Sequence, residues 1–223
     1  VAKVTGNQII KAGTLLMLGY SIDEVRNKTK YLSSSSNKVA IKKAIFPWSR
    51  FPAEDTMLGP EMKATGEVLG VGKEFGTALN KAYAAAGVEI NNKEKGIFVT
   101  LSDSEKPNFI QTVNKYLELG FTLYSTEGTG KFLETNGIDS VIVGKADDLG
   151  QTSLTIIEDK LVSLVINTPT YANELSDGWK IRRLSHETGV AVVSSVREAD
   201  AFIEAFLNQN LVLDDLEVIQ DVS

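Results

Sequence analysis

Short apolar segments alternate with amphipathic segments between residues 96 and 207. Five runs rich in branched and aromatic side chains predict strands at 96–101, 121–124, 141–143, 161–166 and 190–193. Apolar residues at helical spacing predict helices at 106–119, 129–136, 153–158, 177–188 and 197–207. Because strands that alternate with helices form parallel sheets covered on both faces, the pattern predicts an α/β fold with a five-stranded parallel sheet.

The first 90 residues have a different pattern. A helix is predicted within 4–19, a second helix begins after the capping residue Ser21, and a strand is predicted over 39–46. Residues 53–72 are interrupted by glycine and proline and are predicted to be irregular, and a helix over 75–86 follows. The polar segment 91–95 is predicted to link two domains, at 1–90 and 95–210, before an acidic tail at 211–223.

Composition excludes several classes of protein. The chain has 223 residues, 43% of them hydrophobic, which is enough for one large domain or two small ones. A net charge of −6 argues against a nucleic-acid or membrane-surface partner. Without cysteine, and with His186 as the one histidine, thiol catalysis and multi-histidine metal sites are excluded. Since no apolar run reaches the ~18 residues of a membrane span and no signal peptide is visible, we expect a cytoplasmic protein.

Polar side chains follow the predicted strands where each strand ends. They are lysines, hydroxyls and one amide: Ser102, Ser104, Lys106, Thr126, Thr129, Lys145, Asn167, Thr168 and Thr170. The carboxyl ends of parallel strands meet at one edge of a sheet, where ligands of open α/β sheets bind. Two lysines, directed donors and the helix start after Thr126 suit an anion, so the sequence predicts a phosphate-binding rim.

Each of these residues also has a structural interpretation. Thr129 would serve as a helix cap, Asn167 would satisfy its own turn, and the lysines would be solvated. Among other candidates, Asp147 and Asp148 are interpreted as an exposed acidic turn rather than a catalytic pair. Arg182 and Arg183 are interpreted as a helix-surface pair rather than an anion grip, and His186 is expected to be exposed.

Two groups of motifs resemble one family. The first is KKAIFPWSRFP at residues 42–52 with LGPEMKATGEV at 58–68, and it resembles the end of the second ATP-grasp half of the carbamoyl phosphate synthetase large subunit. The second is STEGT at 125–129, VINTP at 165–169, SDG at 176–178 and IRR at 181–183. It resembles the methylglyoxal-synthase-like allosteric domain that follows in that subunit.

The resemblance implies a parent enzyme that makes carbamoyl phosphate from bicarbonate, glutamine-derived ammonia and two ATP, for pyrimidine and arginine biosynthesis. It implies that 1–90 is the C-terminal part of an ATP-grasp half, an α+β remnant, and that 95–210 is a Rossmann-like regulatory domain. The parent's ATP and Mg sites lie upstream, so we expect no cofactor and no catalysis in this part alone. The implied partners are the N-terminal remainder of the large subunit and the glutaminase small subunit, and a homo-oligomer is expected.

The resemblance also assigns an effector pocket that takes UMP as inhibitor or IMP as activator. Its residues map onto Lys106, Thr126, Thr129, Lys145 and Asn167. A further pocket hydroxyl of the family falls at Pro169, so Thr170 is the expected substitute.

This sequence departs from the family pattern in two places. The loop 145–151 reads KADDLGQ, where the family has Lys, two variable residues and Glu-Gly-x-Pro. Lys43 and Val193 replace two carboxylates that sense ornithine, so an ornithine response is not expected. Two alternatives to effector binding follow: a degenerate structural or oligomerisation domain in an arginine-pathway paralogue, and a methylglyoxal-synthase-type lyase with Asp147 or Asp148 as its base.

Overall fold

The computed structural model describes residues 2–30, 38–51, 62, 64–88, 90, 96–169 and 176–208. The chain begins with three short helices: α1 (Ala2–Thr5), α2 (Ile9–Met17) and α3 (Ile22–Lys28). Ser21 caps α3 as predicted, because its hydroxyl accepts from the Glu24 N–H and the Glu24 carboxylate accepts from the Ser21 N–H. No described helix is long and apolar enough to cross a membrane.

A two-stranded antiparallel ribbon follows. Strand β1 (Val39–Ala44) confirms the predicted strand, and it pairs with β2 (Glu67–Gly72) in a register from Val39–Gly72 to Ala44–Glu67. The prediction of irregular structure was wrong for β2. Its glycines weaken the strand signal, but Gly70 serves packing, since an added Cβ would lie 2.1 Å from the Ala78 carbonyl oxygen. Helix α4 (Phe75–Ala85) therefore lies directly on β2.

The second half contains the predicted five-stranded parallel sheet. Its strands are β3 (Gly96–Thr100), β4 (Thr122–Ser125), β5 (Val141–Ile142), β6 (Val162–Asn167) and β7 (Ala191–Val193). Their spatial order is β5-β4-β3-β6-β7, and every pairing is parallel. The chain runs outward from β3 to β5 and then returns to β6 on the other side of β3. Ligands of open α/β sheets bind at such a reversal, which here lies at the carboxyl ends of β3 and β6.

Helices cover both faces of this sheet: α5 (Lys106–Glu118), α6 (Glu127–Thr135), α7 (Thr155–Glu158), α8 (Asp177–Thr188) and α9 (Val196–Leu207). Ile97 and Val99 point to one face, with Phe109 of α5 and Phe206 of α9. Phe98 points to the opposite face, where α7 and α8 pack. These five residues are fully buried, as the near-continuous apolar runs predict.

Helix α4 joins the first of these clusters although it precedes residue 91. Leu79 shares the cluster with Phe202 of α9. The Asn80 side-chain N–H groups donate to the carbonyls of Ala205 at 2.8 Å and Asn208 at 2.9 Å. The segment 91–95 and the tail 211–223 lie outside the described residues, so the division into domains stays a prediction.

Candidate functional site

The candidate rim lies where β3, β4 and β6 end. Parallel register aligns Thr100 with Asn167, so the segments that follow these two residues leave the sheet side by side. The structure therefore brings together the residues that follow β3 and β6, as predicted from strand order. Thr170 lies outside the described residues, and its predicted role is not addressed further.

Two threonine hydroxyls cross-link these strand ends. The Thr129 hydroxyl accepts from the Leu101 N–H at 3.1 Å, and the Thr168 hydroxyl accepts from the Ser102 N–H at 2.7 Å. Both threonines are buried. Consecutive N–H groups after β3 are thus satisfied from β6 on one side and from α6 on the other. The structural interpretation of Thr129 as a helix cap is therefore incomplete, because its hydroxyl also accepts a hydrogen bond from the backbone at the end of β3.

The start of α6 is open to a ligand. Thr126 occupies the position before the helix, but its hydroxyl donates to Thr129 Oγ1 at 3.3 Å and makes no capping bond to the helix backbone. A Cβ added at Gly128 would meet no atom within 4 Å, so space lies beside the first turn. Uncapped N–H groups at a helix start attract anions through their positive partial charge.

Lys106 lies at the start of α5 on the same rim. Only 16% of its side chain is exposed, and its ammonium contacts the Asp103 carboxylate at 2.6 Å. The hydrogen bond and the positive charge of Lys106 hold the pKa of Asp103 below its usual value. Ser104, also predicted for this rim, is hydrogen-bonded to Ser102 at 3.2 Å between hydroxyl oxygens. An anionic ligand that binds Lys106 must therefore compete with the Asp103 carboxylate for the ammonium group.

The loop after β5 folds back on itself. The Lys145 N–H donates to an Asp148 carboxylate oxygen at 2.7 Å, while the Asp147 carboxylate pairs with Lys180 of α8 at 2.7 Å. Both acids are exposed, as predicted for an acidic turn. Because each carboxylate already has a partner, this arrangement does not favour a catalytic base for the lyase alternative. Within the described residues there is also no acidic or histidine cluster that could hold a metal ion.

Asn167 ends β6 with a charged partner that the sequence interpretation missed. Its amide oxygen accepts from Arg182 Nη1 at 2.7 Å, and both residues are buried, with 3% and 5% of their surface exposed. The surface interpretation of Arg182 and Arg183 was wrong. Helix α8 packs on the second cluster through Ile181. The two arginines that follow are buried by their own contacts, Arg182 with Asn167 and Arg183 with the carbonyls of Trp48 and Phe51.

Arg183 binds a segment of the first 90 residues. Its guanidinium donates to the carbonyls of Trp48 and Phe51, each at 2.7 Å, and to the Glu187 carboxylate at 2.6 Å. The next turn of α8 adds His186, whose ring centre lies 5.1 Å from that of Trp48. His186 is half-buried rather than exposed, which corrects the prediction. Burial, with the nearby charges of Lys43, Arg183 and Arg182, lowers the pKa of His186 to about 4.

This geometry can be compared with known proteins. Residues 108–194 match the family model described as "MGS-like domain". The matched span contains α6, the loop after β5, β6 and α8, and thus most of the candidate rim, while Lys106 lies two residues before it.

Most of the chain is similar to carbamoyl phosphate synthase large chains. It is 34% identical over 213 residues to the "Carbamoyl phosphate synthase large chain, C-terminal section" of Methanocaldococcus jannaschii, covering 92% of this chain and 34% of that protein. The protein of the same name from Aquifex aeolicus is 34% identical over 219 residues, covering 92% and 40%. The carbamoyl phosphate synthase large chain of Brucella suis is 36% identical over 213 residues, covering 92% and 18%.

The predicted resemblance is confirmed by these comparisons. The similarity to carbamoyl phosphate synthase large chains extends through the MGS-like domain and into the first 90 residues. The chain nevertheless spans only about a third to two fifths of the first relatives' length, at 34% and 40%.

Proposed function

We propose that the MGS-like domain binds a nucleotide monophosphate, UMP or IMP, at the rim formed by β3, β4 and β6. Binding controls ATP-dependent synthesis of carbamoyl phosphate, from bicarbonate and glutamine-derived ammonia, by a larger enzyme of which this chain is the C-terminal part. The names of the relatives support the parent activity, because they are carbamoyl phosphate synthase large chains. The N–H donors and positive charges of the rim support the proposal of an anionic effector.

One observation carries the choice of an anionic ligand. Three groups lie at the strand ends next to the point where the strand order reverses. They are the uncapped start of α6 after Thr126, the ammonium of Lys106, and the amide of Asn167, which Arg182 contacts. These groups supply N–H donors and positive charge at the strand ends where the strand order reverses. A phosphate monoester needs both, since its oxygens accept several hydrogen bonds and carry negative charge.

Helix α8 offers a route from this rim to the rest of the enzyme. Arg182 contacts Asn167 in the rim, and the next residue, Arg183, contacts the carbonyls of Trp48 and Phe51 in the first 90 residues. An effector can shift activity only by its preference between two states, typically about 1–3 kcal/mol. A small displacement of α8 on ligand binding would move both contacts together.

The first 17 residues support the larger assembly. Helix α2 has no buried residue, and Ile10 and Met17 are 79% and 90% exposed. A cavity of about 540 Å³ lies between α1, α2 and the ribbon, lined partly by Val4, Ile9 and Leu69. Exposed apolar surface of this kind is typical of a face that packs on another part of a protein. We assign it to the catalytic part of the large chain.

Calorimetric titration with UMP and with IMP tests the effector role. Lys106→Ala and Thr126→Val should each weaken binding by roughly tenfold, the value of one charge-assisted or directed hydrogen bond. Lys115→Ala is the matched control, because Lys115 pairs with Asp200 on α9 in a surface contact remote from the rim. If folded wild-type protein takes up neither nucleotide at millimolar concentration, the proposal fails.

A second function is favoured by the pairing of charges on the rim. Lys106 contacts Asp103, Lys180 contacts Asp147, and the Lys145 backbone N–H donates to Asp148, so carboxylates of this chain already occupy cations and one N–H group near the strand ends. A domain in this state would be structural, mediating contacts between subunits without sensing a nucleotide. A flat titration together with a stable dimer in analytical ultracentrifugation would support this function over effector control.

A further inference from the structure

The amide of Asn167 has two orientations, and its neighbours decide which one a ligand meets. The backbone of Asn167 is fixed, because it is paired with Thr100 in the sheet and the next residue, Thr168, donates its N–H to the Thr100 carbonyl at 3.1 Å. The terminal torsion of asparagine remains, and it is roughly two-fold. One orientation offers N–H donors to the rim and the other offers an acceptor oxygen.

Arg182 selects between these orientations. A guanidinium carries only donors, so the atom that it contacts at 2.7 Å must be the amide oxygen. Because both residues are almost completely buried, water does not compete for this charge-assisted bond. The amide oxygen is therefore held toward Arg182, and Nδ2 is left with its two N–H groups for other partners.

Gly178 lets the first turn of α8 approach this pair. A Cβ at position 178 would lie 3.2 Å from Arg182 Nη1 and 3.4 Å from Asn167 Nδ2. The first distance is tighter than ordinary van der Waals contact. Glycine here allows the helix start to lie against the arginine and the amide together. The position of the amide is thus enforced from the sheet, from the guanidinium and from the helix backbone.

We infer that Arg182 is a positioning residue that makes Asn167 a pure hydrogen-bond donor, and thereby sets the selectivity of the rim for anionic ligands. The inference rests on the proposed nucleotide binding at this rim and adds the residue that determines its polarity. Arg182 acts through Asn167, and its buried positive charge also favours an oxyanion bound on the other side of the amide.

Titration of three variants with UMP and with uridine tests the inference. Arg182→Met should weaken UMP binding by roughly tenfold or more, while uridine, which lacks the phosphate, should be affected much less. Arg182→Lys keeps the charge and a donor and should recover part of the affinity. Asn167→Asp should abolish UMP binding without unfolding the protein, because a carboxylate still accepts from Arg182 but presents an oxygen to the ligand.

An effect of Arg182→Met that is equal for UMP and uridine would indicate a merely structural role and overturn the inference. Tight UMP binding by the Asn167→Asp variant would overturn it as well. Guanidine unfolding curves for each variant establish that the folded state persists under the titration conditions.

A measurement without ligand separates this inference from the proposed function. In a neutron crystal structure without ligand, the contact pattern of the Asn167 amide should be single in the wild-type protein, with Oδ1 against Arg182 and the Nδ2 deuterons directed away from it, and it should be reversed or mixed in Arg182→Met. If the wild type binds neither UMP nor IMP, effector binding fails while this contact pattern still decides the orienting role. An unchanged pattern in Arg182→Met refutes the role whatever the titrations show.

Discussion

Replacing His186 with phenylalanine should remove a pH dependence of stability that the wild-type protein has between pH 5 and pH 6.5. His186 is the one histidine of the chain. Burial against Trp48 lowers its pKa to about 4, with further contributions from the cations Lys43, Arg183 and Arg182. An unfolded chain restores a pKa of about 6.5, so unfolding takes up a proton in this range.

The sign and size follow from linkage. The folded pKa lies below the unfolded one, so the stability is fully present above pH 6.5 and is lost as pH falls toward 4. Between pH 8 and pH 5, a shift from about 6.5 to about 4 lowers the free energy of unfolding by about 2 kcal/mol. This is an upper value, because His186 is only half-buried and water screens part of the effect.

Urea unfolding at pH 8, 6.5 and 5 measures this effect for the wild type, His186→Phe and His186→Asn. Carboxylates such as Asp103 and Glu127 titrate in all three proteins, so their contribution cancels in the comparison. The phenylalanine variant keeps a ring against Trp48, and the asparagine variant controls for loss of that ring. If all three proteins lose stability in parallel down to pH 5, His186 is not held neutral by its surroundings.

Four further substitutions test packing and the rim. Gly70→Ala should destabilise by about 2–4 kcal/mol in urea unfolding, since its Cβ would lie 2.1 Å from a carbonyl of α4, whereas Gly13→Ala, in open space on α2, should stabilise by about 0.5–1 kcal/mol. Tyr116→Phe removes a buried hydrogen bond of 2.5 Å to a carbonyl of α9 and should cost about 1–2 kcal/mol in the same measurement. Gly128→Ala should raise stability by about 0.5–1 kcal/mol yet weaken nucleotide binding in calorimetry, and an unchanged affinity would exclude the first turn of α6 as a contact.

Local signals explain what the sequence predicted well. Helix α8 runs from Asp177 to Thr188 as predicted, because Ser176 accepts from the Trp179 N–H at its start and Gly189 adopts a left-handed conformation at its end. Both signals are encoded within a few residues of the helix. The central strands β3 and β6 were also predicted well, since their apolar runs are buried on both faces.

The missed features depend on residues distant in the sequence. Arg183 donates to the carbonyls of Trp48 and Phe51, which lie 135 and 132 positions earlier in the sequence. No local sequence pattern predicts such a contact. Strand β2 was missed because glycine in a sequence usually indicates a loop. In the structure, Gly70 instead lacks the side chain that would collide with α4. The positions of the rim residues could be predicted because strand ends converge by topology, and their role in binding stays a prediction. Their carboxylate partners were not predicted, since loop geometry decides which charges meet.

The shared core of α4 and α9 has a consequence for any exchange of MGS-like segments between relatives. Leu79, Asn80 and Tyr83 are covered by α9, through the first apolar cluster, two hydrogen bonds and an edge-on contact between the rings of Tyr83 and Phe202. A graft that begins at residue 96 would strip this cover and expose apolar surface. The exchangeable piece should instead begin before α4 and carry β1 and β2 with it, and it should melt in one cooperative transition.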